Sequence, residues 1–416
     1  MKIAIVGAGV SGLTAAWRLH RDHELVVFEA GDHIGGHTHT VDVELSGRRY
    51  AVDLGFIVFN EWTYPNFIAL LEELRVPSRP TAMSFSVRCE RTGLEYNGHS
   101  LNTLFAQRAN LFRPSFHRML RDILRFNREA PQLLERDADL TLGAYLRAGR
   151  YGQEFIERYL TPMAAAIWSG QPETMADMPA RFFVRFFKNH GLLSVNHRPQ
   201  WRVIQGGSRN YVGPLTAPFR DRIRLGCPVE WIRRDSEAVR VKPRAAAAER
   251  FDQVVIATHS DQALRLLADP TPQERDILGA IPYQENEAVL HTDSRLLPRC
   301  RRAWAAWNYH RPAQPQRRVA VTYHMNRLQG LDAPVEFCVT LNRADAIDPG
   351  RILRRVTFHH PMFTSASVRA QNRRHEIDGV RRTWYCGAYW RHGFHEDGVT
   401  SGLTVARALL AGRTAV

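Results

Sequence analysis

A glycine-rich turn near the start of the chain is the feature that most constrains the fold. The apolar residues 3–6 are typical of a buried strand and lead directly into Gly7-x-Gly9-x-x-Gly12, after which residues 13–20 show helical spacing. A strand, a tight turn and a helix in this order form a dinucleotide-binding unit, in which the helix N-terminus faces a pyrophosphate. Glu29 ends the next predicted strand, at the spacing of an acidic residue that binds a ribose diol.

A second pair of glycines, Gly35 and Gly36, distinguishes between the dinucleotides. The pair follows Glu29 and continues into His37 and Thr38. This stretch resembles the ExxxxxGG(R/H) segment of the large flavoprotein family that includes monoamine oxidases, phytoene desaturases and protoporphyrinogen oxidases. The resemblance implies bound FAD, with backbone N–H groups of the second glycine pair at its pyrophosphate. No second GxGxxG occurs in the sequence, so a separate NAD(P)H-binding domain is not expected.

The order of predicted elements indicates an α/β fold with two interleaved domains. Strands predicted at residues 251–258 and 383–388 return the chain to the first unit, while residues 101–193 show helical patterns. A helix is also predicted over residues 209–219 and a strand over residues 225–232. We therefore expect a Rossmann-type FAD-binding domain of the glutathione-reductase and amine-oxidase kind, with a discontinuous α+β substrate domain. The FAD-binding domain is predicted from residues 1–78, 195–261 and 376–416, and the substrate domain from residues 79–194 and 262–375.

The resemblance assigns cofactor-binding roles to residues in five parts of the chain. Gly55 and Phe56 belong to a DxG segment that approaches the flavin, and Val229 is expected on the adenine side. A final helix over residues 399–411 is expected to point its N-terminus at the flavin, with the entering turn at Gly398. No cysteine has an evident context for a covalent flavin, so the FAD is expected to be noncovalent. The predicted FAD-binding residues are Gly7, Gly9, Val10, Ser11, Gly12, Glu29, Ala30, Gly35, Gly36, His37, Thr38, Gly55, Phe56, Val229, Gly387, Gly398 and Val399.

Four residues are candidates for catalysis. His190 and His395 have side chains that act as general bases near neutral pH, and Trp201 and Tyr389 are candidate walls beside the flavin ring. For each of the four, an ordinary structural role is the alternative. No metal is expected, because His33, His37 and His39 lie on the pyrophosphate loop without carboxylate or cysteine ligands at suitable spacing.

The charge balance favours an anionic partner. The chain has 56 basic and 42 acidic residues, a net charge of +14, although 53 of the basic residues are arginine, a bias that a GC-rich genome also produces. Arg118, Arg121, Arg125 and Arg128 form one stripe of an amphipathic helix, and residues 181–188 combine phenylalanine with arginine. These features suggest an anionic membrane surface, with a solvated face as the alternative for the helix. Residues 181–188 are expected to form the wall of a lipid-sized tunnel or its mouth. Nucleic acid is not expected, because no nucleic-acid-binding module surrounds them.

The sequence indicates a cytoplasmic protein, with peripheral attachment to the inner face of the membrane left open. The first predicted strand begins at Lys2, which leaves no room for a signal peptide. No apolar run approaches the roughly 18 residues of a membrane span. The five cysteines form no CxxC pair, which fits a reducing compartment.

Nine further segments resemble a narrower group, the FAD-dependent oxidase domain of plant cyclopropane fatty acid synthases and its free-standing bacterial relatives. The likeness covers nearly the whole chain and implies oxidation or desaturation of fatty acyl chains on phospholipids. The methyltransferase half of the plant enzymes is absent, so an acyl methyltransferase becomes a candidate partner. The segments are DLGFIVFN (53–60), TYPN (63–66), MSFSV (83–87), IWS (167–169), KNH (188–190), RPQW (198–201), AWAAWN (303–308), CGAY (386–389) and GFHEDG (393–398).

Two departures from amine oxidases bear on the substrate. Amine oxidases usually hold a lysine near the flavin, but none of the three lysines falls in the middle of the predicted substrate-side sheet. The C-terminal Gly-Asp of the superfamily is Gly387-Ala388 here. An amine oxidase, a carotenoid-type or protoporphyrinogen-type oxidase and a flavin-carrying accessory protein remain the alternatives.

Overall fold

A computed structural model describes residues 1–135, 140–170, 172–314 and 318–412. The strands follow in chain order: β1 Lys2–Val6, β2 Glu24–Phe28, β3 Thr40–Leu45, β4 Arg48–Asp53, β5 Val58–Asn60, β6 Ser78–Thr81, β7 Phe85–Cys89, β8 Leu94–Asn97, β9 Trp201–Ile204, β10 Ile223–Arg224, β11 Val229–Arg234, β12 Val239–Pro243, β13 Glu249–Phe251, β14 Gln253–Ile256, β15 Tyr283–His291, β16 Trp307–Arg311, β17 Ala320–His324, β18 Cys338–Leu341, β19 Ile352–Pro361 and β20 Thr383–Tyr385.

The helices connect these strands and form most of the segment between residues 101 and 189. A π-helical turn, Ile156–Leu160, joins two of them. The α-helices are α1 Val10–Leu19, α2 Pro65–Glu73, α3 Leu101–Leu104, α4 Pro114–Glu129, α5 Leu142–Ala148, α6 Gln153–Phe155, α7 Thr161–Trp168, α8 Pro172–Met175, α9 Ala180–Asn189, α10 Val212–Thr216, α11 Ser260–Leu266, α12 Pro272–Gly279, α13 Met325–Gln329, α14 Ser365–Asn372 and α15 His395–Leu410.

A five-stranded parallel sheet, in the order β10-β2-β1-β14-β20, forms the dinucleotide-binding half. Its central strand β1 is buried on both faces, as is usual when helices or a second sheet cover a parallel sheet. Ile3 and Ile5 pack against α1 and α15, whereas Ala4 and Val6 pack against β11, β12, α11 and α12. This alternation follows from the two-residue period of a strand.

A seven-stranded mixed sheet forms the second half, in the order β19-β15-β18-β17-β16-β7-β8. Helix α4 and Ala165 of α7 pack against β7 and β17. Helix α9 packs in a separate aromatic cluster. The small sheet β5-β9-β6 and the hairpin β3-β4 lie between the two halves in sequence. The α/β fold with a Rossmann-type unit and a discontinuous second part is confirmed.

The domain boundaries stay a prediction, although the packing bears on one of them. Helices α11 and α12 begin near the predicted boundary at residue 262. Their buried residues Ala263, Ile277 and Leu278 share a core with Val254 and Ile256 of the parallel sheet. These two helices therefore belong by packing to the dinucleotide-binding half.

Three predicted elements differ from the observed ones. The last helix begins at His395 rather than at residue 399, because the Asp397 carboxylate accepts the N–H groups of His392 and Phe394 and so caps an earlier turn. The helix predicted over residues 209–219 is broken into α10 and two 3₁₀ turns, since it contains Pro214 and Pro218. The strand predicted from residue 225 begins at residue 229, after a turn at Gly226 with a φ of 57°.

A buried ion pair fixes the end of β20, which leads into Gly387. The guanidinium of Arg234 on β11 donates to both carboxylate oxygens of Glu274 on α12, at 2.6 and 2.9 Å. Both side chains are almost fully buried, and Tyr385 on β20 donates its hydroxyl to the same carboxylate. The cluster therefore joins β11 and β20, which belong to different sheets, through α12.

Removal of the Glu274 carboxylate should destabilise the chain strongly. Glu274→Ala leaves the buried Arg234 with the partly exposed Asp269 as its remaining carboxylate partner among the described residues, at an expected cost of about 3 kcal/mol. The matched control is Glu249→Ala, which breaks the exposed pair with Arg224 and should cost under about 1 kcal/mol. Urea unfolding of both variants gives the comparison, and equal losses would contradict the role of the buried pair.

Candidate active site

The first glycine turn brings β1 and α1 into close contact and leaves one face open. Gly7 has a φ of 108°, and a Cβ on Gly12 would lie 2.1 Å from the Gly7 carbonyl oxygen. A Cβ on Gly9 would meet no atom within 4 Å, because this glycine faces a large cavity. Gly9 also precedes α1 without a side-chain cap, so the first N–H groups of the helix have no side-chain acceptor there.

The second glycine pair packs directly on the first turn. Gly35 donates its N–H to the Ala8 carbonyl at 2.9 Å and forms a bridge with Gly9. Gly36 has a φ of 59°, and a Cβ there would lie 3.1 Å from the Gly9 Cα. The two glycine turns therefore form a single backbone cradle, in which Gly35 and Gly36 have no room for side chains and Gly9 faces the open cavity.

The acidic residue at the end of β2 braces this cradle. One carboxylate oxygen of Glu29 accepts the Ala8 N–H and the other accepts the Gly31 N–H, each at 2.8 Å. The side chain also lines the cavity, as do Ala30 and Val229. Backbone N–H groups therefore position Glu29 at the carboxyl end of β2, where its carboxylate can accept a further hydrogen bond.

The cavity has a volume of about 1690 Å³ and extends from the glycine cradle into the second half of the molecule. Typical small-molecule sites occupy about 300–1,000 Å³, so there is room for a dinucleotide and a second ligand. Of the residues predicted to bind FAD, four lie outside the lining, and these are Gly12, Thr38, Gly398 and Val399.

The four residues outside the lining pack beneath the wall of the site and support it. A Cβ on Gly398 would lie 2.7 Å from a Val10 side-chain carbon, so this glycine allows α15 to approach α1. Val399 is buried in the core beneath the parallel sheet. Gly398 lies inside α15, because the helix begins four residues earlier than the sequence predicted. Thr38 hydrogen-bonds to the Tyr211 hydroxyl at 2.7 Å instead of facing the cavity.

His190 lines the cavity with a fixed tautomer. Its Nδ1 donates to the Phe186 carbonyl at 2.9 Å, and the ring stacks on Phe186 with centroids 3.9 Å apart. A carbonyl accepts only, so the neutral imidazole keeps its acceptor lone pair on Nε2. Burial lowers the pKa of His190 to about 4, which keeps the ring neutral at pH 7. The geometry therefore provides a neutral proton acceptor beside the cavity.

His395 is held more tightly. Its ring stacks on Phe56 with centroids 3.6 Å apart, and its Nε2 lies 2.9 Å from the Tyr211 hydroxyl and 3.2 Å from the Thr38 hydroxyl. Burial and the nearby His37 lower the pKa of His395 to about 3. Because hydroxyl groups already engage Nε2, this arrangement positions the start of α15 better than it provides a free base.

Tyr389 and Trp201 both line the cavity. The Tyr389 hydroxyl is buried and has no hydrogen-bond partner, and the same is true of Trp307 Nε1 and His392 Nε2, which also face the cavity. Buried polar atoms are normally paired, so three atoms without a partner among the described residues, all on residues that line one cavity, indicate a ligand. Trp201 lies on β9 with its ring centroid 6.3 Å from that of His190.

The far end of the cavity is apolar, and sequence reasoning did not identify its walls. The π-helical turn and α7 contribute four of the side chains, while others come from β7, β8, β16 and β17. Periodicity marks such residues as core, since nothing in the sequence separates a cavity wall from packing. The apolar and aromatic lining includes Met83, Phe85, Tyr96, Leu104, Tyr159, Met163, Ile167, Trp168, Trp307, Tyr323 and Phe363.

Histidines at the cradle end were also missed as a group. His259 and His359 line the cavity with His37 and His360, and the His37 ring lies 5.9 Å from His259 and 5.5 Å from His360. Burial lowers the pKa of His37 to about 4. His259 follows β14, and the carboxyl ends of parallel strands are where ligands bind, which is a signal that the sequence did contain. Within the described ranges, no three His, Cys, Asp or Glu residues are placed to hold a metal ion.

Comparison with known proteins places the chain in a family. The sequence profile described as "flavin containing amine oxidoreductase" matches residues 10–293. The chain belongs to this family. Its cofactor is FAD, and it is an oxidoreductase. No curated protein sequence matches the chain significantly.

Solved structures of this flavoprotein family share the fold over nearly the full length. Cyclohexylamine oxidase from Brevibacterium oxydans is 16% identical with a TM-score of 0.71, covering 99% of both chains. A putrescine oxidase bound to putrescine is 15% identical with a TM-score of 0.71, also covering 99% of both. The CLA-producing fatty acid isomerase from P. acnes is 18% identical with a TM-score of 0.68, covering 97% of this chain and 98% of the other.

The residues present fit an FAD. The glycine cradle offers backbone N–H groups and no side chains where the pyrophosphate would lie, and Glu29 is available to the ribose. The unpaired Tyr389 hydroxyl offers a hydrogen bond in the same cavity. The first turn of α15 approaches α1 through Gly398, so two helix N-termini favour anionic groups from one side.

A side chain on Gly9 should abolish FAD binding. Gly9→Val places a branched side chain in the open space of the cradle, where the pyrophosphate must fit. The flavin absorbance of the purified protein measures the loss. Gly350→Val, on an exposed turn, is the matched control and should keep its FAD. Retention of full FAD by Gly9→Val would refute this placement.

The buried His190 should make stability depend on acid pH. Its folded-state pKa of about 4 lies below 6.5, so the unfolded chain binds the proton more readily and stability falls as the pH drops from 6.5 towards 4. His190→Gln removes this penalty, so the stability of wild type relative to the variant should decline across that window. Thermal unfolding at several pH values measures the difference. A gap that does not change with pH would contradict the assignment.

Proposed function

We propose that this flavoprotein oxidises or desaturates fatty acyl chains, with the acyl groups of phospholipids as the substrate class. The observation that carries the proposal is the apolar lining of the cavity beyond the glycine cradle. Aromatic and aliphatic side chains such as Met163, Ile167 and Tyr323 surround this space. An extended hydrocarbon chain fits such walls, because its transfer from water is favourable at roughly 25 cal/mol per Å².

Charge at the cavity argues against a cationic amine. Among the described residues that line it, Glu29 is the single carboxylate, and it belongs to the cradle end. None of the three lysines lines the cavity, and the charged side chains beyond Glu29 are arginines, Arg198, Arg244 and Arg265. An ammonium group buried without a counter-charge is unfavourable. The site therefore suits an uncharged reacting carbon better than an amine.

The narrower resemblance supports the same substrate. Each of the nine segments that resemble the oxidase domain of plant cyclopropane fatty acid synthases contributes at least one residue to the cavity lining. Examples are Met83, Trp168, Trp307 and Phe394. Likeness concentrated around the cavity supports a related substrate, and it makes an acyl methyltransferase a reasonable partner upstream of this enzyme.

Fold similarity alone does not choose between amines and acyl chains. The amine oxidases and the CLA-producing fatty acid isomerase have nearly equal TM-scores to this chain, at 0.71 and 0.68. The choice rests on the lining of the cavity, because function depends on the site rather than on the fold.

The chain's own residues supply orientation, exclusion of water and a proton acceptor. FAD, when bound, provides the two-electron acceptor that the loss of two hydrogens from neighbouring carbons requires. The apolar walls hold the acyl chain and keep water away from the reacting carbons. His190, neutral and with Nε2 available, is the candidate acceptor of the hydrogen that leaves as a proton.

Anaerobic titration tests the proposal directly. The FAD-loaded protein is mixed with phospholipid carrying methyl-branched acyl chains, with unbranched phospholipid, or with cyclohexylamine. We expect the branched acyl substrate to bleach the flavin absorbance, and mass spectrometry to show acyl chains that have lost two hydrogens. Bleaching by the amine alone would identify an amine oxidase, and no bleaching by any reductive substrate would favour an accessory protein.

A pair of histidine variants tests the proton acceptor. His190→Gln should slow bleaching by about 100-fold or more, the usual contribution of a general base. His375→Gln is the control, because this exposed histidine also bonds a backbone carbonyl through Nδ1 but lies away from the cavity. Equal rates for the two variants would remove His190 from the proposed mechanism and leave the substrate assignment standing.

A further inference from the structure

The rim of the cavity carries exposed apolar side chains. Phe112, Leu101 and Val195 are the most exposed large hydrophobic residues in the described chain, at 86%, 76% and 62%. Leu101 and Val195 also line the cavity. Arg108 donates hydrogen bonds to the carbonyls of Asn102 and Phe105, which ties the part of the chain that carries Phe112 to the part that carries Leu101.

Trp62 extends this apolar rim on the side of Val195. Its ring centroid lies 4.6 Å from that of His197, and a Cβ on Gly191 would lie 3.1 Å from the indole. Trp62 is 40% exposed, and tryptophan is enriched where one end of a side chain meets water and the other meets lipid. We call the surface formed by Trp62, Leu101, Leu111, Phe112 and Val195 the mouth surface.

The charges near the mouth surface are mainly basic. Residues 101–121 contain four arginines and no Asp or Glu, and residues 190–201 contain Arg198 and no Asp or Glu. Glu61, beside Trp62, is paired with Arg202 at 3.1 Å. Exposed apolar side chains within a basic border are the features of a surface that inserts among anionic lipid headgroups.

The sequence suggested helix α4 as the docking element, but three of the four arginines in its stripe form ion pairs. Arg118 pairs with Glu154, Arg125 with Asp122 and Arg128 with Glu129. The Arg125 guanidinium also lies 4.0 Å from the centre of the Tyr151 ring. Leu124 of the same helix is 59% exposed.

Residues 181–188, which the sequence suggested as the wall or mouth of a lipid-sized tunnel, are also weak candidates for the outer docking surface. They lie in helix α9, where Phe183, Phe186 and Phe187 are buried in an aromatic core. Phe186 reaches the cavity wall rather than the outer surface. The mouth surface is therefore the better candidate for lipid contact.

We propose that the mouth surface docks on a bilayer containing anionic phospholipids, with Arg113 and Arg198 at the phosphates and Leu101, Phe112 and Val195 among the acyl chains. The proposal rests on the proposed function for its purpose, since docking places the entrance of the cavity against its substrate. No helix in the ranges that the structure describes is long and apolar enough to cross a membrane, so contact through this surface is peripheral.

Flotation with vesicles tests the docking. The full FAD-loaded chain is mixed at low salt with vesicles of phosphatidylcholine alone or with phosphatidylglycerol added. We expect binding to the anionic vesicles, reversed by salt. Arg113→Gln combined with Arg198→Gln should weaken binding roughly thirtyfold, and Leu101→Asp combined with Phe112→Asp by about tenfold or more. Leu410→Asp, an exposed leucine at the end of α15, is the control and should bind like the wild type.

Each result decides the proposal. The proposal would be overturned if the wild type did not bind anionic vesicles. It would also be overturned if both mouth variants bound them as strongly as the wild type. So would release by glutamine at Arg118, Arg121, Arg125 and Arg128 with the mouth variants still bound, because docking would then use α4. Flavin absorbance confirms that each variant is folded. Since flotation requires no turnover and a water-soluble short acyl substrate requires no docking, the proposed function and the docking surface can fail independently.

Discussion

The contact between Gly12 and the Gly7 carbonyl is the constraint on which the site depends. A Cβ at position 12 would lie 2.1 Å from that oxygen, so only glycine lets α1 begin against β1. The position of α1 against β1 also brings Ser11 close to Gly402 of α15. A Cβ on Gly402 would lie 2.4 Å from the Ser11 carbonyl oxygen. Two helices from opposite ends of the chain are thereby packed against each other, and the second glycine pair fits only onto the turn that results.

The cradle was predictable from the sequence because its requirements are local. Backbone conformation and the absence of side chains fix which residue type can stand at Gly7, Gly9, Gly35 and Gly36, so the pattern is visible without any tertiary information. The start of α15, in contrast, was not predicted from the sequence. Its cap depends on Asp397 accepting two N–H groups, one of them from His392 beyond a glycine, and spacing alone did not show that turn.

The cavity walls were not predictable in the same way. Trp307 and Tyr323 face each other only because β16 and β17 pair in antiparallel register, and Tyr159 packs on the same cluster from a distant part of the chain. An aromatic residue that faces a cavity and one that faces the core have the same periodicity. The electrostatic character of the site was equally hidden, since a chain with 42 acidic residues gives no sign that only one of the described lining residues carries a carboxylate.

The π-helical turn Ile156–Leu160 gives the cavity wall an adjustable register. A π turn holds one more residue than an α turn, and it sits where Tyr159, Met163 and Ile167 come to face the cavity in succession. Deleting one residue there would restore α-helical winding and change which side chain of this turn faces the cavity. A single-residue deletion would thus exchange side chains of the cavity wall while the helix itself persists, which offers a route to new substrate selectivity that leaves the flavin cradle unchanged.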